Sequence, residues 1–87
     1  MIDKKIDISE WVAERDNVIN TLDTNKFKAF IEKYKGSMYD ENLVLPSDYI
    51  LKASMCKMAL NITKGINEDT KTKAYKWLNE NNISTSV

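Results

Sequence analysis

The stretch Pro46-Ser47-Asp48-Tyr49-Ile50-Leu51-Lys52-Ala53-Ser54-Met55-Cys56-Lys57-Met58-Ala59-Leu60-Asn61-Ile62-Thr63 decides how the whole chain reads. Pro46 and Ser47 open a helix, because a serine hydroxyl can accept from the free N–H groups of a first turn, and Lys64-Gly65 closes it near Thr63. At 100° per residue, Tyr49, Ala53, Cys56 and Leu60 fall on one side, and Leu51, Met55, Met58 and Ile62 on nearly the opposite side. Ser54, Lys57, Asn61 and Lys64 form the polar strip between them. A helix that is apolar on two sides has to be covered on two sides. Either the rest of the chain wraps it, or the Leu51, Met55, Met58, Ile62 stripe meets another chain, a use for which flexible methionine is suited.

Upstream of this helix, Ser37 to Pro46 interrupts the helical pattern. Tyr39, Asp40, Glu41 and Asn42 read as a turn, and Leu43, Val44 and Leu45 as a short apolar run that lies across the bundle or pairs with its copy in a dimer. Before that, Ile8, Trp11, Val12, Val18, Ile19 and Leu22 recur at helical spacing behind Ser9 as N-cap, and Phe27, Phe30, Ile31 and Tyr34 form a second stripe behind Asp23 and Thr24. Gly36 stands where a left-handed residue ends a helix. Downstream, Asn67 caps a fourth helix with Glu68 and Asp69 in its first turn and Lys71, Lys73 and Lys76 later, the order the helix dipole favours. Ala74, Trp77 and Leu78 form its core face, and Asn81 with Asn82 marks its end. The expected fold is therefore a small all-α domain of four helices near 9–22, 24–35, 47–63 and 67–80. It carries one irregular apolar loop at about 37–46, and its ends, 1–7 and 83–87, are frayed.

Composition fits one domain and removes several kinds of chemistry. The chain has 87 residues with 43% hydrophobic and 30% charged, and just two glycines and one proline, so it should fold around one shared core. Thirteen basic and thirteen acidic residues cancel, which leaves no overall attraction to nucleic acid or to an anionic membrane. Met1 to Glu10 alternates charge with isoleucine and holds no long apolar run, so a cytoplasmic protein with no membrane segment is expected. Every basic residue but Arg15 is lysine, and asparagine and isoleucine are plentiful, as in a low-GC gene of a bacterium, phage or mobile element.

The chain has no histidine and a single cysteine, which takes away the commonest general base and metal ligand and any internal disulfide. Cys56, in the middle of the third helix, reads as a core residue. The acidic pairs Asp40-Glu41 and Glu68-Asp69 are accounted for by a turn and a helix start. Asp23, Asn25 and Phe27 fail the third ligand position of an EF-hand loop, and no glycine-rich phosphate loop is present. No cofactor, no metal, no small-molecule substrate and no catalytic residue are expected. Lys26, Lys28, Lys33 and Lys35 interleave with Phe27, Phe30 and Tyr34, but the aromatics share one face and the lysines mostly avoid it, as on a solvated outer face.

Arg15 stands inside the apolar stripe of the first helix, flanked by Trp11, Val18, Ile19 and Leu22. A charge there has to snorkel past Trp11, close an ion pair, or anchor an acidic group on a partner. The stretch Ile66-Asn67-Glu68-Asp69-Thr70-Lys71-Thr72-Lys73-Ala74, ending in Trp77-Leu78, resembles the helix that follows the recognition helix in the lactose repressor family of DNA-binding domains. The resemblance covers about a fifth of the chain and implies a DNA-binding regulator built on the third and fourth helices. Upstream the chain departs from that family, since the third helix lacks the small-residue and glycine turn of its helix-turn-helix.

The leading expectation is a non-enzymatic protein-binding module, an accessory or inhibitor protein, acting as a homodimer. Its partner-binding residues would be Leu51, Met55, Met58, Ile62 and Arg15, with the Leu43 to Leu45 run beside them. The alternative is the DNA-binding regulator.

Overall fold

The computed structural model describes residues 7–62 and 64–83; the remaining positions of the expected frayed ends lie outside them. The described residues form a small all-α domain of four helices: α1 (Ile8–Thr21), α2 (Thr24–Lys33), α3 (Asp48–Asn61) and α4 (Glu68–Glu80), with no strand among them. Each boundary lies within two residues of its sequence expectation, because the stop and start signals are local.

The caps show why. Asp7, not Ser9, is the N-cap of α1, its carboxylate accepting from the N–H groups of Ser9 and Glu10 at 3.0 and 3.3 Å. An anion at that position also meets the positive end of the helix dipole, an advantage serine lacks. Asp23 does the same for α2 through Asn25 and Lys26. Between the two helices Leu22 takes a left-handed conformation with φ 51°, so the chain turns the corner without a loop. Its carbonyl, which α1 can no longer use, accepts from Lys52 Nζ at 2.7 Å.

α2 stops at Lys33, two residues before its expected end, and Gly36 is left-handed with φ 82° as expected. The Tyr34 carbonyl accepts from the N–H groups of Ser37, Met38 and Tyr39, which seals the turn that follows. At the other end of the chain, Asn82 is left-handed and Ile83 donates its N–H to the Leu78 carbonyl at 2.9 Å while packing against the core. Position 7 and position 83 are thus ordered parts of the fold rather than frayed ends, since each closes a helix terminus.

α3 is the central helix. It touches the other three, with α4 along most of its length. Leu51, Met55, Cys56 and Ala59 are buried in one core with Ile19, Phe27, Phe30, Ile31, Ile66, Ala74 and Leu78. Phe30 is the hub of an aromatic cluster, its ring centre 5.2 Å from that of Tyr34 and 6.1 Å from that of Trp11.

Two polar clamps fix the helices to one another. Asn20 on α1 donates from Nδ2 to the Gly65 carbonyl at 2.7 Å and accepts from the Asn67 N–H at 2.9 Å, so one side chain holds both ends of the turn that leads into α4. Asn67 sits at the N-cap of α4, but its side chain makes no capping bond there. Gly65 has φ 80°, and a Cβ on it would stand 2.2 Å from Asp16 Oδ2. Gly65→Ala should therefore displace either the turn or Asp16, at a cost of about 1–3 kcal/mol in a denaturant melt. An alanine variant as stable as the parent would refute the close approach.

The second clamp joins α1 to α2. Glu14 accepts from the Tyr34 hydroxyl at 2.6 Å and from Lys33 Nζ at 2.9 Å. These bonds, the phenol's foremost, hold the Glu14 carboxyl below its usual range, and the same bond pushes the Tyr34 phenol up to about 12. The folded phenol keeps its proton beyond the ordinary value of 10.0, so its contribution to stability is complete below that value and is lost as the pH rises toward about 12. Glu14 works in the opposite direction, contributing above the ordinary carboxylate range and losing that contribution as the pH falls through its lowered value. Burial also pushes the Tyr39 phenol up, so absorbance titration of the tyrosines should show late phenols, of which the one that titrates toward about 12 is absent in Tyr34→Phe. A normal, early titration of all four tyrosines would contradict the clamp.

Candidate functional site

The expected partner-binding stripe does not lie on the surface as a unit. Leu51 and Met55 point into the core and are 3% and 0% exposed, and Met58 and Ile62 are half-buried against it. This corrects the expectation that all four present a face to another chain. α3 is apolar on two sides because its own neighbours cover both: the buried residues include Met55 from one side and Cys56 from the other. Burial also pushes the Cys56 thiol up, away from the reactive thiolate.

Arg15, the expected anchor, is engaged within its own chain. Its guanidinium lies over the Trp11 ring at 5.3 Å and donates to Asp16 Oδ1 from both Nε and Nη2, at 3.2 and 3.0 Å. Both side chains are largely covered. The arginine therefore snorkels along Trp11 and closes an ion pair at once, with the residue next to it in sequence as the partner.

What α3 leaves uncovered is its first turn. Tyr49 and Ile50 are each 51% exposed, although Tyr49 belonged to an expected core face. Just upstream, the apolar run divides. Leu45 packs against the core, whereas Leu43 is 37% and Val44 85% exposed. The turn that presents them is built as expected, with Asp40 Oδ1 accepting from the Asn42 N–H at 2.8 Å and the Asp40 carbonyl from the Leu43 N–H at 3.0 Å. Four large apolar side chains within eight residues of sequence are thus exposed at and before the start of α3.

Beside them a groove of about 340 Å³ opens between the end of α1, α3 and α4, lined by Leu22, Lys52, Lys73, Lys76, Trp77 and Glu80 among others. Trp77 connects groove and patch, since its ring is 5.6 Å from that of Tyr49 at an interplanar angle of 49°. Lys73 pairs with Asp69 on the exposed face of α4 at 3.0 Å, a contact that solvent leaves weak. Of the lysines on and just after α2, Lys28 pairs with Asp48, Lys33 with Glu14 and Lys35 with Glu32, whereas Lys26 has no ion pair among the described residues. α2 and α4 do not touch. Among the described residues no three His, Cys, Asp or Glu side chains gather into a group that could hold a metal ion, and no helix is long and apolar enough to cross a membrane.

Comparison with known proteins finds no family model that matches the chain, no similar curated protein and no similar solved structure. The local likeness of residues 66–78 to a repressor helix gains no support from it.

The position of Met55 has a direct consequence. Met55→Glu places an unpaired charge in the core and should abolish the cooperative thermal transition, whereas Met55→Ala should cost about 2–5 kcal/mol. A Met55→Glu chain that stays folded would return the stripe to the surface.

Proposed function

We propose that this chain acts by binding protein, without chemistry of its own, and that its first partner is a second copy of itself. The observation that carries this reading is the exposed apolar patch of Leu43, Val44, Tyr49 and Ile50. Its members stand within eight residues of one another in sequence. They follow one another closely along the chain, on a turn and a helix start whose backbones are held by hydrogen bonds, so the patch is presented in a fixed shape. A preformed surface loses little conformational freedom on binding, which favours association through a small area.

The patch replaces the methionine stripe as the docking surface, and the adjoining Leu43 to Leu45 run keeps part of its expected role. A DNA-binding reading has less to stand on. Lys28, Lys33 and Lys35 are paired with carboxylates, and the inner face of α3 is packed against the rest of the bundle.

The test is the oligomeric state. In sedimentation velocity over a concentration series, the parent chain should reach the mass of a dimer. Ile50→Glu should remain a monomer of 10.1 kDa with an unchanged helical spectrum, because Ile50 is exposed and supports no core contact. A parent that stays monomeric at millimolar concentration would overturn self-association, and an Ile50→Glu variant that dimerises like the parent would remove the patch from the interface.

A further inference from the structure

Resting on that reading, we propose that the Asp40 to Val44 turn of one copy seats in the lysine-lined groove of the other, and that the two copies exchange this contact reciprocally. The turn and the groove match in sign and in polarity. The turn begins with two exposed carboxylates, Asp40 and Glu41, that have no ion-pair partner among the described residues, and it continues into the exposed apolar side chains Leu43 and Val44. The groove carries the ammonium groups of Lys52, Lys73 and Lys76 against the carboxylate of Glu80; Lys52 donates to the Leu22 carbonyl and Lys73 pairs weakly with Asp69, and the apolar lining comes from Leu22 and Trp77. An acidic pair followed by an apolar pair is the kind of segment such a surface can take.

The turn does not occupy the groove of its own chain. Val44 is 85% exposed, and the backbone on either side is tied down, by the Tyr34 carbonyl before it and by Leu45 in the core after it. The turn is therefore held out from its own bundle.

Turn and groove also lie toward the same end of α3. The turn runs through Pro46 and Ser47 directly into the helix, and Lys52 stands five residues into it. Two copies related by a two-fold axis near that end can each give a turn and each receive one, which closes the assembly at two. Ile50 and Tyr49, between turn and groove in sequence, would then meet close to the axis.

Lys52 also holds the Leu22 carbonyl at the end of α1, so it is left intact in the test. Asp40 is spared for the same reason, since its carboxylate holds the Asn42 N–H in the turn; the two variants are Glu41→Lys, and Lys73→Glu with Lys76→Glu. The first takes away the turn's negative charge and sets a lysine against a basic groove, and the second sets an acidic groove against an acidic turn. Each alone should lose self-association by on the order of tenfold or more, and the parent dimer should weaken with added salt. Mixed in equal amounts, the two variants should form a heterodimer, because in both exchanged contacts position 41 and the groove it meets are again of opposite sign. Circular dichroism verifies that each is folded. A parent dimer whose affinity neither charge reversal changes would overturn the turn-in-groove contact while leaving the apolar patch in place. Loss of association in both variants without recovery on mixing would also overturn it. A monomeric parent would instead remove the reading beneath it.

Discussion

A helix apolar around most of its circumference cannot be left with one covered side, and the rest of this fold follows from that constraint on α3. Each large apolar side chain buried there is worth roughly 1.5–3 kcal/mol relative to exposure, so the three short surrounding helices are positioned by what they cover. α4 contributes Ala74 and Leu78 to the shared core, α1 Ile19, and α2 Phe27, Phe30 and Ile31. An 87-residue chain has little spare surface for this, and the cover runs out at the first turn of α3. Tyr49 and Ile50 remain outside, with Val44 just before them. The place where the domain fails to bury its central helix is the place where we propose that it meets a partner.

Around that core, polar side chains set the angles. Asn20 ties the turn before α4 to α1, Glu14 ties α1 to the end of α2, and Lys52 ties α3 to the carbonyl that α1 gives up at Leu22. None of the three is deeply buried. Each joins elements distant in sequence, and together they hold short helices that could not persist alone. They also determine the groove, since the end of α1 and the α3–α4 pair form its walls.

The helices and their ends were legible in the sequence because caps, left-handed glycines and apolar spacing act over a few residues. Asp23 and Gly36 take their expected roles for that reason. Ser9 yields to Asp7, because a charged cap two residues earlier outcompetes a hydroxyl. The partner of Arg15 was not legible, since consecutive residues on a helix do not ordinarily face each other; the long guanidinium bends back across Trp11 to reach Asp16. Nor was the allocation of α3's two apolar faces, which depends on where three other helices lie and not on α3 itself. The run Leu43 to Leu45 was visible as apolar, but which of its members turns inward is decided by Leu45 meeting the core, a contact no local pattern encodes. The groove joins residues 22, 52 and 73–80, and its parts are too far apart in sequence to be seen as one site.

Self-association, as proposed, uses the start of α3 and its neighbouring turn and groove, and not the methionine stripe. Amide NMR spectra recorded over a dilution series test it residue by residue. Concentration-dependent shifts are expected at 40–44, 49–52 and 73–77, with the amides around Met55 and Ala59 unmoved. Shifts centred on Met55, Met58 and Ile62 with the turn and groove silent would contradict it.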